Sequence, residues 1–242
     1  TVGRDHMSQQ LTDNFLVKVC GITNEKDAFF SIDCGANALG FNFYKSSPRY
    51  LDPQRAAEII KKLPRQILVV AVMVVSGETK EEIHNQIREL KKEMGKVSNR
   101  ELVDVFQLHG LDSESQIPSD QGRFLVAASP VDVCSFPRYE VLIDTSWGTG
   151  TRADWDYVKQ LNRSFILSGG LNPENVSEAI RLVRPWGVDT ASGVEMSDQT
   201  DESTKSVPSR KDHLKIQHFV QAARRIQTTW TEFGATNGSE DL

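Results

Sequence analysis

Short β-branched or aliphatic runs, each ended by turn residues, alternate along this chain with longer stretches whose apolar positions recur at helical spacing. The runs predict eight strands, at 16–20, 38–43, 67–75, 103–108, 124–128, 141–144, 165–168 and 187–190. Helices are expected between them. Thr23 stands where it would cap one over about 24–34, with Gly35 to stop it, and Asp52-Pro53 opens the next with proline at a tolerated first-turn position. Ile83, Ile87, Leu90 and Met94 share one face of a helix starting near Thr79. Asn172-Pro173 repeats the cap-then-proline signal before a helix ending near Val183. Leu214, Phe219, Val220 and Ala223 mark the last helix, whereas the short connections after the fourth and fifth strands leave room only for stunted ones.

Strands that alternate with helices pair in parallel through right-handed crossovers. Eight such repeats predict the α/β class and closure into a single (β/α)₈ barrel. An open dinucleotide-binding sheet would be expected to carry G-x-G-x-x-G after its first strand, and "CGITNE" at 20–25 does not supply it. No linker divides the chain, so the barrel is expected over 13–227. Residues 1–12 are set apart, their "TVGRDHM" reading as a vector-derived leader ahead of Met7, and 228–242 form a polar tail. The polar stretch 196–212, "MSDQTDESTKSVPSRKD", is expected to be a solvated surface loop.

Composition narrows the partners. A net charge of −5 over 242 residues provides no basic field for nucleic acid or an anionic membrane surface. No apolar run approaches the roughly 20 residues of a membrane span, and the N-terminus lacks a secretory h-region, which points to a soluble cytoplasmic protein acting on a small molecule. Cys20, Cys34 and Cys134 are odd in number and lack CxxC spacing, and the histidines show no HxH or HExxH, so neither a disulfide framework nor a metal site is expected.

In a barrel the C-terminal strand ends and the loops beyond them line one mouth. Those positions are Cys20, Arg49, Gln107, His109, Asp144, Ser168-Gly169-Gly170, Asp189 and Ser192-Gly193. The glycine-bearing turns "LSGGLNPENV" and "DTASGVE" follow strands seven and eight, the two loops from which barrels commonly build a phosphate cradle out of backbone N–H groups. Cys20 and Asp144 end strands that lie across the barrel from one another, where a thiolate base and a carboxylic acid could address two sides of one substrate. Each also has a plainer reading, packing for the cysteine and turn capping for the aspartate. Arg49, in a loop stiffened by Pro48, could hold a carboxylate in a bidentate fork or form a surface ion pair. Trp147, Trp155 and Trp186 are expected to pack in the core or at the rim.

The segments "KVCGIT", "ALGFNFYKSSPRY", "VFQLHG", "LIDTSWGTGTRADW", "ILSGGLNPENV" and "GVDTASGVE", in this order from about Leu16 to Arg224, closely resemble the phosphoribosylanthranilate isomerase family. The resemblance implies a cofactor-free Amadori rearrangement of N-(5-phosphoribosyl)anthranilate in tryptophan biosynthesis. By that resemblance Cys20 is the general base, Asp144 the general acid, and Arg49 the partner of the anthranilate carboxylate. Gly169, Gly170, Ala191, Ser192 and Gly193 would hold the phosphate, and Asp189 would face the ribose hydroxyls. Gln107 and His109 are expected to bind substrate from their place at the end of strand four, where the histidine could equally be a plain hydrogen-bonded strand-end residue. A monomer or homodimer, or a part of a multifunctional pathway polypeptide, fits the family. Three features depart from its pattern: Trp147 where a glycine is usual, Ala191 in place of a serine, and a longer polar stretch after Glu195. The rivals are the histidine-pathway phosphosugar isomerase, expected to carry aspartate at the Cys20 position, and a phosphate-ligand binder without turnover.

Overall fold

The computed structural model describes residues 15–98, 101–145, 155–196 and 210–234, with side chains as far as Ile226. Trp147 to Gly150, most of the polar stretch after Met196, residues 1–14 and residues 235–242 lie outside them; residues 228–234, expected to belong to a polar tail, continue the last helix. Eight parallel strands close in sequence order: β1 (Leu16–Cys20), β2 (Ala38–Asn42), β3 (Leu68–Val74), β4 (Val105–His109), β5 (Phe124–Ala128), β6 (Glu140–Asp144), β7 (Ile166–Ser168) and β8 (Gly187–Thr190), which pairs back with β1. The (β/α)₈ barrel expected from the alternation is what forms.

Among the described residues six α-helices run outside the strands: α1 (Glu25–Asp33), α2 (Pro53–Ile60), α3 (Lys80–Gly95), α4 (Trp155–Val158), α5 (Val176–Val183) and α6 (His213–Gly234). After β4 and β5 the connections hold only single 3₁₀ turns, Glu114–Gln116 and Val133–Ser135, as their shortness required. The local chemistry of the starts is visible. Asn24, not Thr23, caps α1, its Oδ1 accepting from the Asp27 N–H at 2.9 Å. Asp52 accepts from the N–H groups of Gln54 and Arg55 at 3.0 and 3.2 Å, and Thr79 with Glu82 forms a capping box on α3. Asn172 serves a turn ahead of α5 rather than its first residue, accepting from the N–H groups of Glu174 and Asn175.

Side chains alternate across each strand and divide the apolar residues into two sets. Val17 and Val19 of β1 belong to the shell packed between strands and helices, with Leu39, Phe41, Phe106, Phe219 and Val220. Leu16 and Cys20 point the other way, into an interior filled by Ala38, Val70, Val72, Val105, Leu125, Ala127, Leu142 and Ile166. Trp155 is buried in the outer shell and Trp186 packs against the interior set, so both do the structural work expected of them. Among the described residues no helix is long and apolar enough to cross a membrane.

β4 begins two residues later than the run at 103–108 suggests and ends on His109, which turns that ring inward in line with Gln107. The ends of the polar stretch are also unlike a solvated loop. Met196 donates to the Arg210 carbonyl, Asp212 to the Val194 carbonyl, and Lys211 bridges Glu195 in antiparallel fashion. Lys211 is buried, its side chain wholly so, because its ammonium finds a carboxylate and a carbonyl there.

Candidate active site

Cys20 ends β1 with its thiol turned inward and 7% exposed. Its neighbour across the ladder is Gly40, where a Cβ would stand 2.7 Å from the Cys20 Sγ, so the missing side chain is what gives the sulfur its place. Burial pushes the thiol up from its ordinary range. The ammoniums of Lys18 and Lys211 pull it back, and the Asp189 carboxylate adds to the rise.

Below the thiol, in the sense of one strand repeat toward the N-terminus, lies Lys18 with no solvent contact at all. Its Nζ donates to the Asp189 Oδ1 at 2.8 Å, and the Asp189 Oδ2 accepts from the Ser168 hydroxyl at 3.0 Å. Burial works against the Lys18 charge, but Asp189 and then Cys20 outweigh it, so the amine stays protonated beyond its ordinary range. Both oxygens of Asp189 are thus engaged within the protein. The carboxylate expected to face a sugar also balances a buried lysine.

On the far side of the interior the Gln107 Nε2 lies 2.7 Å from the His109 Nε2. Burial holds the His109 ring below its ordinary range, against the pull of the Asp144 carboxylate beside it, so the ring is neutral near pH 7. With the amide donating, the ring proton sits on Nδ1. The Gln107 Oε1 is buried and has no protein partner among the described residues. Asp144, at the end of β6 and in register with Ser168, is partly open at the mouth. Thr145 ties this end of β6 to β7 by donating its hydroxyl to the carbonyls of Ser168 and Gly169 at 2.8 and 3.1 Å.

Arg49 reaches over Gly21, whose φ of +76° and lack of a side chain admit the arginine stem; a Cβ there would stand 2.5 Å from the Arg49 Cδ. One edge of the guanidinium is occupied. Nε and Nη2 donate to the two oxygens of Glu195 at 2.7 and 2.8 Å, and Lys211 donates to the same carboxylate at 3.0 Å and to the Ala191 carbonyl at 2.9 Å. The Nη1 edge takes no protein acceptor among the described residues. The bidentate fork anticipated for Arg49 exists, therefore, but its first occupant is Glu195.

The two glycine turns meet. Gly169 and Gly170 adopt φ of +89° and +65°, and a Cβ on Gly170 would enter open space. Gly193 sits so close to the Leu171 carbonyl that no side chain fits, which clasps the turn after β8 (3₁₀ turn Ser192–Val194) against the one after β7. Among the described residues no protein acceptor takes the backbone N–H of Gly169, Gly170, Ser192 or Gly193. N–H groups without an acceptor among the described residues, on two adjoining loops, are the kind of lining that can receive an anion.

Every anticipated site residue is thus at one barrel mouth or in the interior just beneath it. Sequence reasoning missed Lys18, Glu195 and Lys211. Lys18 had a signal, being the one charged residue in the strand "LVKVC" and in phase with Cys20; Glu195 and Lys211 had none that is local. Among the described residues no three His, Cys, Asp or Glu side chains cluster as metal ligands would.

The family model described as N-(5'phosphoribosyl)anthranilate (PRA) isomerase matches residues 17–222 of the chain. The N-(5'-phosphoribosyl)anthranilate isomerase of Geotalea uraniireducens is 37% identical over 223 residues, spanning 87% of this chain and 98% of its own. Among solved structures, a phosphoribosyl anthranilate isomerase in complex with reduced 1-(o-carboxyphenylamino)-1-deoxyribulose 5-phosphate superposes with a TM-score of 0.67 at 32% identity, over 88% of this chain and all of that one. Monomers made from the dimeric phosphoribosylanthranilate isomerase of Thermotoga maritima give 0.66 at 30% identity, with the same coverage.

Proposed function

This chain belongs to the N-(5'-phosphoribosyl)anthranilate isomerase family, and from that premise we propose that it converts N-(5-phosphoribosyl)anthranilate to 1-(2-carboxyphenylamino)-1-deoxyribulose 5-phosphate by general acid and base catalysis. The observation that supports the mechanism is that Cys20 and Asp144 end strands on opposite sides of the barrel, the first beside Lys18 and Asp189, the second beside His109. Asp144 gives a proton to the furanose ring oxygen, and the C1–O bond breaks as the nitrogen lone pair forms a Schiff base. The Cys20 thiolate then takes the C2 proton; the C–H electron pair becomes the C1=C2 bond and the C=N pair returns to nitrogen. The enol relaxes to the ketone with a proton added at C1, so C1 is reduced and C2 oxidised within one molecule.

The ends of the substrate match the remaining groups. Its phosphate fits the N–H cradle of Gly169, Gly170, Ala191, Ser192 and Gly193, and its carboxylate fits the Nη1 edge of Arg49 while Glu195 steadies the other edge. The buried Gln107 Oε1 is an acceptor for a ribose hydroxyl. Holding both ends fixes the pentose between acid and base, an effect that contributes several orders of magnitude in well-oriented systems. The dimer known for a relative makes a homodimer the assembly to look for by light scattering.

The test follows the loss of anthranilate-ring fluorescence from freshly prepared substrate, with the histidine-pathway aminoimidazole carboxamide ribotide run beside it. Cys20→Ser and Asp144→Asn are each expected to lower kcat by about 10²-fold or more with KM little changed. Near-normal turnover by either variant would remove its assigned role. Arg49→Ala should act chiefly on KM.

A further inference from the structure

A lysine whose whole side chain is shut inside a barrel is an expensive choice for filling space, since a methionine of similar length would occupy the same volume without burying charge. The interior around it is otherwise apolar at Leu16, Ala38, Val70 and Ile166. Lys18 also stands two residues before Cys20 on the same face of β1, about 7 Å along the strand. Its stem directs the ammonium toward Asp189 on the adjoining strand, at 2.8 Å, and Ser168 on the next strand fixes the other oxygen of that carboxylate. The result is a rigid row, Ser168, Asp189 and Lys18, that ends beside the reactive sulfur.

We propose that Lys18 is a positioning residue for the base: its ammonium, two residues along the same face of β1, offsets part of the cost of forming the Cys20 thiolate inside the closed interior, and Asp189 with Ser168 holds it there. This rests on Cys20 being the base. The charged groups that act on the sulfur come from four places: Lys18 on its own strand, Asp189 on β8, Lys211 beyond β8 and Arg49 beyond β2. Of the cations, Lys18 has the largest effect on the thiol, and it is the one placed deepest in the interior. Once the thiolate has taken a proton, Lys18 still has Asp189 as its counter-charge. The ion pair therefore needs no rearrangement as the negative charge on sulfur comes and goes, which is the economy expected of a preorganised site.

The experiment measures the rate of iodoacetamide alkylation of Cys20 against pH, together with the pH profile of kcat. A Cys34→Ala, Cys134→Ala background removes the two other thiols. Lys18→Met is expected to carry both the alkylation profile and the acid limb of kcat to higher pH, with alkylation at pH 8 falling about tenfold or more. Because this variant leaves Asp189 charged and without its partner, Lys18→Met with Asp189→Asn is made alongside; it buries no unpaired charge, so the barrel keeps its fold. In the double variant the move is in the same direction and smaller, because a cation and a weaker opposing anion are lost together. A folded variant of either kind whose alkylation profile coincides with the parent's overturns the role of Lys18. Substantial turnover by Cys20→Ser would instead overturn the base assignment on which the inference rests.

Discussion

Two missing side chains shape the site at the level of single residues. Gly40 leaves the volume that the Cys20 sulfur fills, and Gly21, with its left-handed backbone, leaves the path for the Arg49 stem. A methyl group at position 40 would also lie 3.1 Å from the Cys20 Cα, so the strand itself must give way. Gly40→Ala is expected to destabilise the barrel by about 1–3 kcal/mol and to lower kcat far more than it changes KM. Urea titration and steady-state kinetics on the same preparation check both halves; unchanged kcat would mean that the sulfur tolerates displacement. Gly21→Ala should act instead on KM, because it moves the guanidinium.

Closure of the barrel depends on how its last element meets its first. Helix α6 packs Phe219, Val220 and Ala223 into the outer core and sends Arg224 across the N-terminal rim. There Nη1 donates to the Phe15 carbonyl at 2.6 Å, while Nε and Nη2 donate to the Gly35 carbonyl at 3.1 and 2.8 Å. One side chain so joins the chain just before β1, the turn before β2 and the final helix. Arg224→Ala should cost about 3 kcal/mol through loss of these charge-assisted bonds. The catalytic mouth is at the opposite rim, so kcat of the folded variant is expected to stay at the parent value. A shift of the urea midpoint with intact turnover is the signature, and a loss of turnover per folded molecule would contradict it.

Across the whole molecule, the polar groups enclosed by the barrel set a pH window for stability. His109 is held below its ordinary range, so the unfolded chain takes up a proton near pH 6.5 that the folded one refuses. Its contribution is complete above about pH 6.5 and is lost as the pH falls toward the folded value. Cys20 is displaced the other way: the folded protein keeps the thiol proton past the roughly pH 8.5 at which the unfolded chain releases it. That contribution is complete below about pH 8.5 and is lost as the pH rises through the folded value. The denaturant midpoint is therefore expected to decline on both sides of this range. Cys20→Ala should flatten the alkaline side and His109→Asn the acid side; slopes that persist in these variants would place their origin in other groups.

What the chain specifies locally was readable from it directly. The alternation of β-branched runs with helical periods determined eight strands and their order, and strand ends in a barrel share one mouth, so Cys20, Asp144, Arg49 and the glycine turns could be named together. The stunted connections after β4 and β5 followed from their length alone. Lys18 meets Asp189 across 171 residues, and Arg49 meets Glu195 across 146; no periodicity reports such a pairing. Lys211 likewise looked like part of a polar loop until its backbone bridge to Glu195 carried it inside. Only the tertiary structure decided these matters, because a charge is buried or solvated according to which distant side chain the closed sheet brings against it.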